Sequence, residues 1–425
     1  MLDLKFIREN PELVKQGIKN KNEKDRVDEV LELDEERRNL IIQTDELKHK
    51  RNLASSQIPQ MKKSGQDVSS VLAEMKSVSD KISDLDSQLN NVEGKLNDIL
   101  MFIPNMPHSS VPVGKSSEEN VEVRKWQPGE FSFEQNEKVL DHIELGKKNN
   151  ILDFERGAKI SGSGFPLYLG KGATLERALI NFMLDYHINN HGYSEVFPPF
   201  LVNRDSMKGT GQLPKMEEDM YFIDKDDLFP IPTAEVPITN IFRSEILNEN
   251  DLPIKFAGYS ACFRREAGSY GKESKGFLRV HQFNKVEMVK YTKPGNSYDE
   301  LEKLVNDAED ILKELKIPYR VLMLCTGDLS FAAAKCYDIE TWSPAEKRWL
   351  EASSCSNFEN FQARRANIRF RNEETKKPEF VHTLNGSGLA TSRLMVSILE
   401  NYQTPEGKII VPKVLQKYTG FEIID

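Results

Sequence analysis

Cysteine is scarce in this 425-residue chain: Cys262, Cys325, Cys336 and Cys355 are widely spaced, with no C-x-x-C pair. That excludes a disulfide framework and points to a reducing compartment. The seven histidines show no metal-ligand spacing, so no zinc is expected. No run of about 18 apolar residues exists, so no membrane span is expected. The opening Met1-Leu2-Asp3-Leu4-Lys5-Phe6 lacks an apolar h-region, and no secretory signal is expected. Together these absences predict a cytoplasmic protein without a membrane partner. No G-x-x-x-x-G-K-[ST] or G-x-G-x-x-G motif suggests a P-loop or a dinucleotide fold. No repeat period is visible, which excludes a solenoid. A net charge of -9 argues against a uniformly basic nucleic-acid binder.

What is present is divided. Val68, Val71, Met75, Val78, Ile82, Leu85, Leu89, Val92, Leu96, Ile99 and Ile103 follow one another in alternating steps of three and four. Such a seam predicts a coiled-coil helix on the order of 50 Å long. A weaker seam precedes it, Val30, Leu33, Leu40, Leu47, Ala54, Ile58 and Met61, with Arg37, Thr44 and Arg51 at the alternate core places. Ser64-Gly65-Gln66-Asp67 supplies a turn, so an antiparallel helical hairpin is expected. Between Arg37 and Lys63 stand seven basic residues (Arg37, Arg38, Lys48, Lys50, Arg51, Lys62, Lys63) against Asp45 and Glu46. This basic stretch on an acidic protein favours phosphate contacts, although a dimerisation arm or spacer gives the same pattern.

After Ile103 the texture changes. Pro104, Pro107 and Pro112, with Asn105, Ser109, Ser110 and Gly114, predict a linker. Farther on, helical and strand-like stretches alternate. Helices are expected over 175–191 and 298–315, the second capped by Asn296 or Ser297, and a strand over 319–325.

The chemistry-bearing residues cluster in short segments. Cys262-Phe263-Arg264-Arg265-Glu266 and Arg279-Val280-His281-Gln282-Phe283-Asn284-Lys285-Val286-Glu287 read as two strands joined by a long mobile loop. Paired antiparallel, they would gather Arg264, Glu266, His281, Phe283 and Glu287. An arginine can clamp a phosphate or carboxylate, an aromatic ring can stack on a base, and a carboxylate can receive an ammonium. Thr233 and Glu235 sit among prolines, a rigid turn offering a hydroxyl and a carboxylate, or simply a surface turn. Glu351-Ala352-Ser353-Ser354 could hold magnesium on a phosphate, a weak signal by itself. Cys355 has no His/Asp context and reads as a buried small residue. Asn385-Gly386-Ser387-Gly388-Leu389-Ala390-Thr391-Ser392-Arg393 opens an apolar helix. Its glycines would permit close backbone approach and its helix start would favour an anion.

The ordered set resembles the three signature motifs of class II aminoacyl-tRNA synthetases, and it is similar to the seryl-tRNA synthetase family of the bacterial type. Thr233-Ala234-Glu235, Phe263 to Ser269, His281-Gln282-Phe283, Lys285-Val286-Glu287, Ser353 to Asn357, Phe361-Gln362-Ala363-Arg364-Arg365 and Asn385 to Ala390 carry the resemblance. It spans essentially the whole chain. Thr391-Ser392 stands where the family usually has Val or Ile then Gly, and Ala352 where Val or Ile is usual.

The resemblance implies an α+β fold: an antiparallel sheet of six to seven strands flanked by helices, with an N-terminal antiparallel coiled-coil arm. It implies a tRNA-binding domain over 1–104, a linker over 105–129 and a catalytic domain over 130–425. Serine would be activated with ATP to seryl-adenylate and passed to serine tRNA, and to selenocysteine tRNA where present. Arg264 and Arg393 would be catalytic. Thr233, Ala234, Glu235, Arg264, Glu287, Asn385 and Ser387 would bind serine. Arg264, Arg265, Glu266, Phe283, Glu351, Ala352, Ser353, Ser354 and Arg393 would bind ATP, with Phe283 stacking on adenine. Glu351 and Ser354 would ligate magnesium carried with ATP. The family is homodimeric, and Gly192 to Pro199 match its interface motif. The loop between Gly268 and Gly276, with Glu273 and Lys275, would move between activation and transfer. Two other readings stay open: a class II-like ligase charging a carrier protein, and a non-catalytic scaffold.

Overall fold

A computed structural model describes residues 1–129, 139–266 and 275–425. The chain divides into two compact units, one of Leu2–Lys19 with Glu23–Pro104, the other of Met1, Asn20–Asn22 and Asn105–Asp425.

The smaller unit is built on two long helices, Val27–Lys63 and Ser69–Leu100. They are antiparallel. Ion pairs run from Arg37 to Glu93, Lys48 to Asp86 and Lys50 to Glu74, so one number falls as the other rises. Met75, Val78 and Ile82 are buried together, with Leu47, Ala54 and Val71 packed against them, as the heptad seam requires. The helix stops at Leu100, short of Ile103, because Pro104 disfavours helical backbone at the residue before it. Asp34 sits fully inside and meets Arg8 (2.8 Å), Arg37 (3.1 Å) and Arg38 (3.1 Å). Although burial opposes it, the Arg8 and Arg37 guanidinium groups hold its carboxyl below the usual range. Four of the seven basic residues are therefore engaged inside the hairpin. Among the described residues, Arg51, Lys62 and Lys63 have no ion pair.

The larger unit centres on an eight-stranded sheet among the described residues. Its spatial order is Val121–Trp126, Tyr319–Met323, Lys335–Ser343, Arg348–Asn357, His382–Ala390, Gln282–Thr292, Ile254–Phe263, Ser194–Glu195. Every neighbouring pair is antiparallel except the last, where Ser194–Glu195 runs parallel to Ile254–Phe263. The count exceeds the expected six to seven because the two-residue strand Ser194–Glu195 adds to one edge. Residues 105–129, expected as a linker, pack onto the larger unit instead. Asn105 is buried and its amide donates to Ala332 O (2.9 Å) and Phe358 O (2.8 Å), while Val121–Trp126 pairs with Tyr319–Met323. The prolines block regular structure but not packing; the body supplies the hydrogen-bond partners.

Leu301, Leu304, Val305, Ala308, Ile311 and Leu312 of the Ser297–Glu314 helix are fully buried, at the spacing of one helical face. They join Val286, Met288, Leu384 and Cys355 of the sheet in the main core. Asn296 occupies the cap position of that helix without a side-chain capping bond. The Gly170–His191 helix adds Leu175, Leu179, Phe182 and Met183, and ends at Gly192 in the left-handed region (φ 68°), a conformation glycine adopts without penalty.

Candidate functional site

Strand pleating decides which motif residues meet. In the Gln282–Thr292 strand, Val286 and Met288 face the core, so Phe283, Lys285 and Glu287 alternate onto the opposite face. Ser387 pairs with Glu287 across the ladder, and Asn385 with Ser356. In Arg348–Asn357 the register shifts between Glu351 and Ser353, a bulge that gives one extra residue. Residues three apart in a regular strand face opposite sides. The bulge turns Glu351 and Ser354 to the same side, and both line one cleft.

That cleft has a volume of about 590 Å³. It is lined by Thr233, Glu235, Arg264, Glu266, Phe283, Glu351, Ala352, Ser353, Ser354, Asn385, Ser387 and Arg393 among the residues the sequence predicts. Three predicted residues do not line it. Ala234 is packed in a separate apolar cluster. The Arg265 side chain is exposed elsewhere, and its backbone N–H donates to Asp219 O (3.0 Å). Glu287 is fully buried behind the wall. Its carboxylate accepts from Asn385 Nδ2 (2.7 Å) and Thr233 Oγ1 (3.1 Å) and is ion-paired with Lys285. A buried carboxylate so fully engaged is fixed in place.

Glu235 is the more exposed carboxylate of the two. Gln362 Nε2 donates to its Oε1 (2.6 Å). Burial first, then the Glu287 charge, push its carboxyl up to about 7, against Gln362, Lys285 and Arg264. Arg264 lies over the Phe283 ring at 5.1 Å and donates to Pro232 O (3.3 Å). Its backbone N–H donates to His281 O (2.9 Å), which continues the ladder beyond the strand ends. Glu266 pairs with Arg279 (2.6 Å). Arg393 donates to Glu351 O (2.7 Å) and faces Glu351 Oε2 (3.2 Å). Asp338 pairs with Ser354 across the ladder, and burial, then the Glu351 charge, hold its carboxyl well above the usual range.

Two sequence readings change. The empty sides of Gly386 and Gly388 do not face a ligand. A Cβ at Gly386 would lie 2.8 Å from Cys355 Sγ and 3.0 Å from Leu304 Cγ; one at Gly388 would lie 2.5 Å from His187 Nε2. These glycines make room for the core instead. The helix that follows, Thr391–Asn401, does begin at the cleft, with Arg393 in its first turn. Thr391 does not crowd the site: its Oγ1 is buried 2.5 Å from Glu176 Oε1 and 3.0 Å from Asn284 O. His281 lies outside the lining: its backbone N–H donates to Gly164 O (2.8 Å), and its ring Nδ1 lies 2.9 Å from Arg264 O, so it braces the Arg264 backbone. Of the loop thought to move, residues 267–274 lie outside the described residues, as do 130–138.

Sequence reasoning did not single out Lys285 and Arg279, which line the cleft, or Gln362, which does not line it but bonds Glu235. Lys285 was findable by strand alternation between Phe283 and Glu287. Gln362 was not, because its partners Glu235, Thr210 and Thr383 are far away in sequence.

This fold and site define a class II aminoacyl-tRNA synthetase: residues 219–402 match the family described as "tRNA synthetase class II core domain (G, H, P, S and T)". Residues 1–107 match the "Seryl-tRNA synthetase N-terminal domain". The serine–tRNA ligase of Chloroherpeton thalassium is 60% identical over the whole of both chains. That of Chlorobium phaeobacteroides strain BS1 is 58% identical over the whole of both. Among solved structures, seryl-tRNA synthetase from Pyrococcus horikoshii complexed with ATP has a TM-score of 0.94 at 41% identity, covering 100% of this chain and 99% of that one. A Giardia lamblia prolyl-tRNA synthetase, at 17% identity and a TM-score of 0.55 over 64% of this chain and 54% of that one, shares the fold alone. The chain belongs to the seryl-tRNA synthetase family and is an aminoacyl-tRNA ligase. No helix among the described residues is long and apolar enough to cross a membrane.

Proposed function

We propose that this cleft activates L-serine with ATP and that the seryl group then passes to the 3′ end of a serine tRNA reached by the helical arm. The observation that carries the reading is the meeting, in one cleft, of two guanidinium groups, Arg264 and Arg393, with a carboxylate, Glu235, beside the Thr233–Glu287–Asn385 set. Guanidinium groups suit phosphate and carboxylate oxygens; a buried carboxylate suits an ammonium.

In the first step a serine carboxylate oxygen attacks the α-phosphorus of ATP, and the bond to the bridging oxygen breaks, releasing pyrophosphate. In the second, a ribose hydroxyl of the terminal nucleotide attacks the seryl carbonyl, loses its proton, and AMP leaves. Neither step needs a protein nucleophile; positioning and charge neutralisation are sufficient. Arg264 holds the serine carboxylate and α-phosphate together. Phe283 offers its ring to adenine and Arg393 takes the far phosphate. Glu235 receives the ammonium. Ser387 and Asn385 meet the hydroxyl, with Glu287 fixing Asn385. A polar floor of this kind rejects alanine, which would leave those groups unpaired.

Glu351 and Ser354 are hard oxygen donors on one face of a bulged strand, with Asp338 beside Ser354. Crowded carboxylates of this sort fit Mg2+ brought in with ATP. Bound there, the ion neutralises phosphate charge. The aromatic Phe197 is 75% exposed next to the two-residue edge strand and stacks on Phe200 at 5.7 Å, which supports a second copy at that edge. Sedimentation at micromolar concentration should give a dimer mass; a monomer would contradict it.

The test of the function is charging of tRNA with labelled serine. Serine should be attached and alanine should not. Attachment to a carrier protein and not to tRNA would overturn the reading.

A further inference from the structure

Gln362 is fully buried, yet every polar atom of its side chain is engaged. Thr383 Oγ1 donates to its Oε1 (2.7 Å), and its Nε2 donates to Thr210 O (3.1 Å) and Glu235 Oε1 (2.6 Å). A flipped amide would set its oxygen against two acceptors, Thr210 O and Glu235 Oε1. The Thr383 hydroxyl and the Thr210 carbonyl therefore allow one orientation only. The four residues come from four separate parts of the chain: Gln362 from the Phe361–Ala366 helix, Thr383 from His382–Ala390, Thr210 from the end of Arg204–Thr210, and Glu235 from the start of Glu235–Thr239.

From this arrangement we infer that Gln362 is a positioning residue for amino-acid recognition: its amide, oriented by Thr383, holds one oxygen of Glu235 and leaves the other to the ammonium of the substrate. This rests on the reading of Glu235 as the ammonium acceptor. An amide suits the task better than a cation would. It fixes the carboxylate without neutralising it, so the negative charge remains for the substrate. A charged hydrogen bond also favours the ionised carboxylate. The charged groups acting on Glu235 are Glu287 and Lys285 from Gln282–Thr292 and Arg264 from beyond Ile254–Phe263. Lys285 is paired with Glu287, and Arg264 donates to Pro232 O and lies over Phe283. Gln362 is thus the uncharged hydrogen-bond donor to this carboxylate among the described residues.

The test is serine-dependent ATP–pyrophosphate exchange, with KM for serine and for ATP measured across pH 6 to 9. In the unaltered protein, kcat/KM for serine should fall on the acid side of about pH 7, where Glu235 takes up a proton. Gln362→Met keeps the length and removes the donor. It should raise the serine KM about tenfold, move that acid limb to higher pH and leave the ATP KM within about twofold. Thr383→Val should shift both serine readouts in the same direction by less, and Thr383→Ser, which keeps the hydroxyl, should restore them. If Gln362→Met does not fold, the Thr383 pair carries the test. The inference is overturned if serine and ATP KM rise together, if the acid limb stays fixed, or if Thr383→Ser behaves as Thr383→Val. Glu235→Gln separates the two layers. An unchanged serine KM there removes the ammonium reading itself. A raised serine KM there, with Gln362→Met unaltered, removes only the role of Gln362.

Discussion

Arg393 and Glu351 face each other across the cleft wall, Nη1 to Oε2 at 3.2 Å, with the same nitrogen donating to the Glu351 carbonyl at 2.7 Å. These are the proposed phosphate arginine and the proposed metal carboxylate. On that proposal, ATP with its cation would separate them, exchanging one ion pair for two better-matched ones. Glu351→Gln should therefore raise the Mg2+ concentration needed for half-maximal exchange several-fold, while Arg393→Lys should lower kcat/KM for ATP by about tenfold or more, since a point charge does not replace a planar fork. A Mg2+ titration of exchange checks both. Unchanged curves for Glu351→Gln would remove it from the metal site.

Glu176 predicts a pH-dependent stability. It accepts from Asn284 Nδ2 (2.7 Å) and lies 2.5 Å from Thr391 Oγ1, and burial pushes its carboxyl up to about 7. The folded state thus holds a proton that the unfolded state releases at lower pH. The contribution is fully present below the ordinary carboxyl value of 4.5 and fades as pH rises to about 7. Glu176→Gln removes that dependence, so the variant should gain on the unaltered protein between pH 5 and pH 8, by at most on the order of 3 kcal/mol. Thermal melts at the two pH values measure the gap. A gap that does not change with pH would contradict the assignment.

How much of this was legible beforehand follows from residue type. The arm could be read because Met75, Val78 and Ile82 obey a period that only a helix produces. The cleft could be read because Arg264, Glu351 and Arg393 stand in an ordered set of motifs. Interior polar groups could not: Asp34, Glu176 and Gln362 look like surface residues until their distant partners are placed. The bulge at Ala352 was equally hidden, since it exists only relative to the facing strand. The packing role of Gly386 is hidden from the sequence for the same reason, because its neighbour Leu304 lies 82 positions earlier in the chain.

On the proposed function, the arm serves the second step and not the first. Arg51, Lys62 and Lys63 are basic residues of the first long helix that form no ion pair among the described residues. Phosphate contacts from a few such residues give salt-sensitive binding. Replacing residues 37–96 with a short turn should leave exchange within about twofold and lower charging of tRNA by about a hundredfold, since each lost charged contact weakens binding. Changing Arg51, Lys62 and Lys63 to Ala together should reduce charging and flatten its salt dependence. Equal loss of exchange and charging on removing the arm would count against its role.

The central claim is tested most directly by ATP–pyrophosphate exchange against a panel of amino acids, with Arg264→Ala alongside. Serine should support exchange, threonine weakly and alanine not at all, and Arg264→Ala should abolish the serine signal, because the proposed role of Arg264 is to hold the two reacting groups together. Exchange that does not depend on serine, or a near-normal rate in Arg264→Ala, would contradict the account.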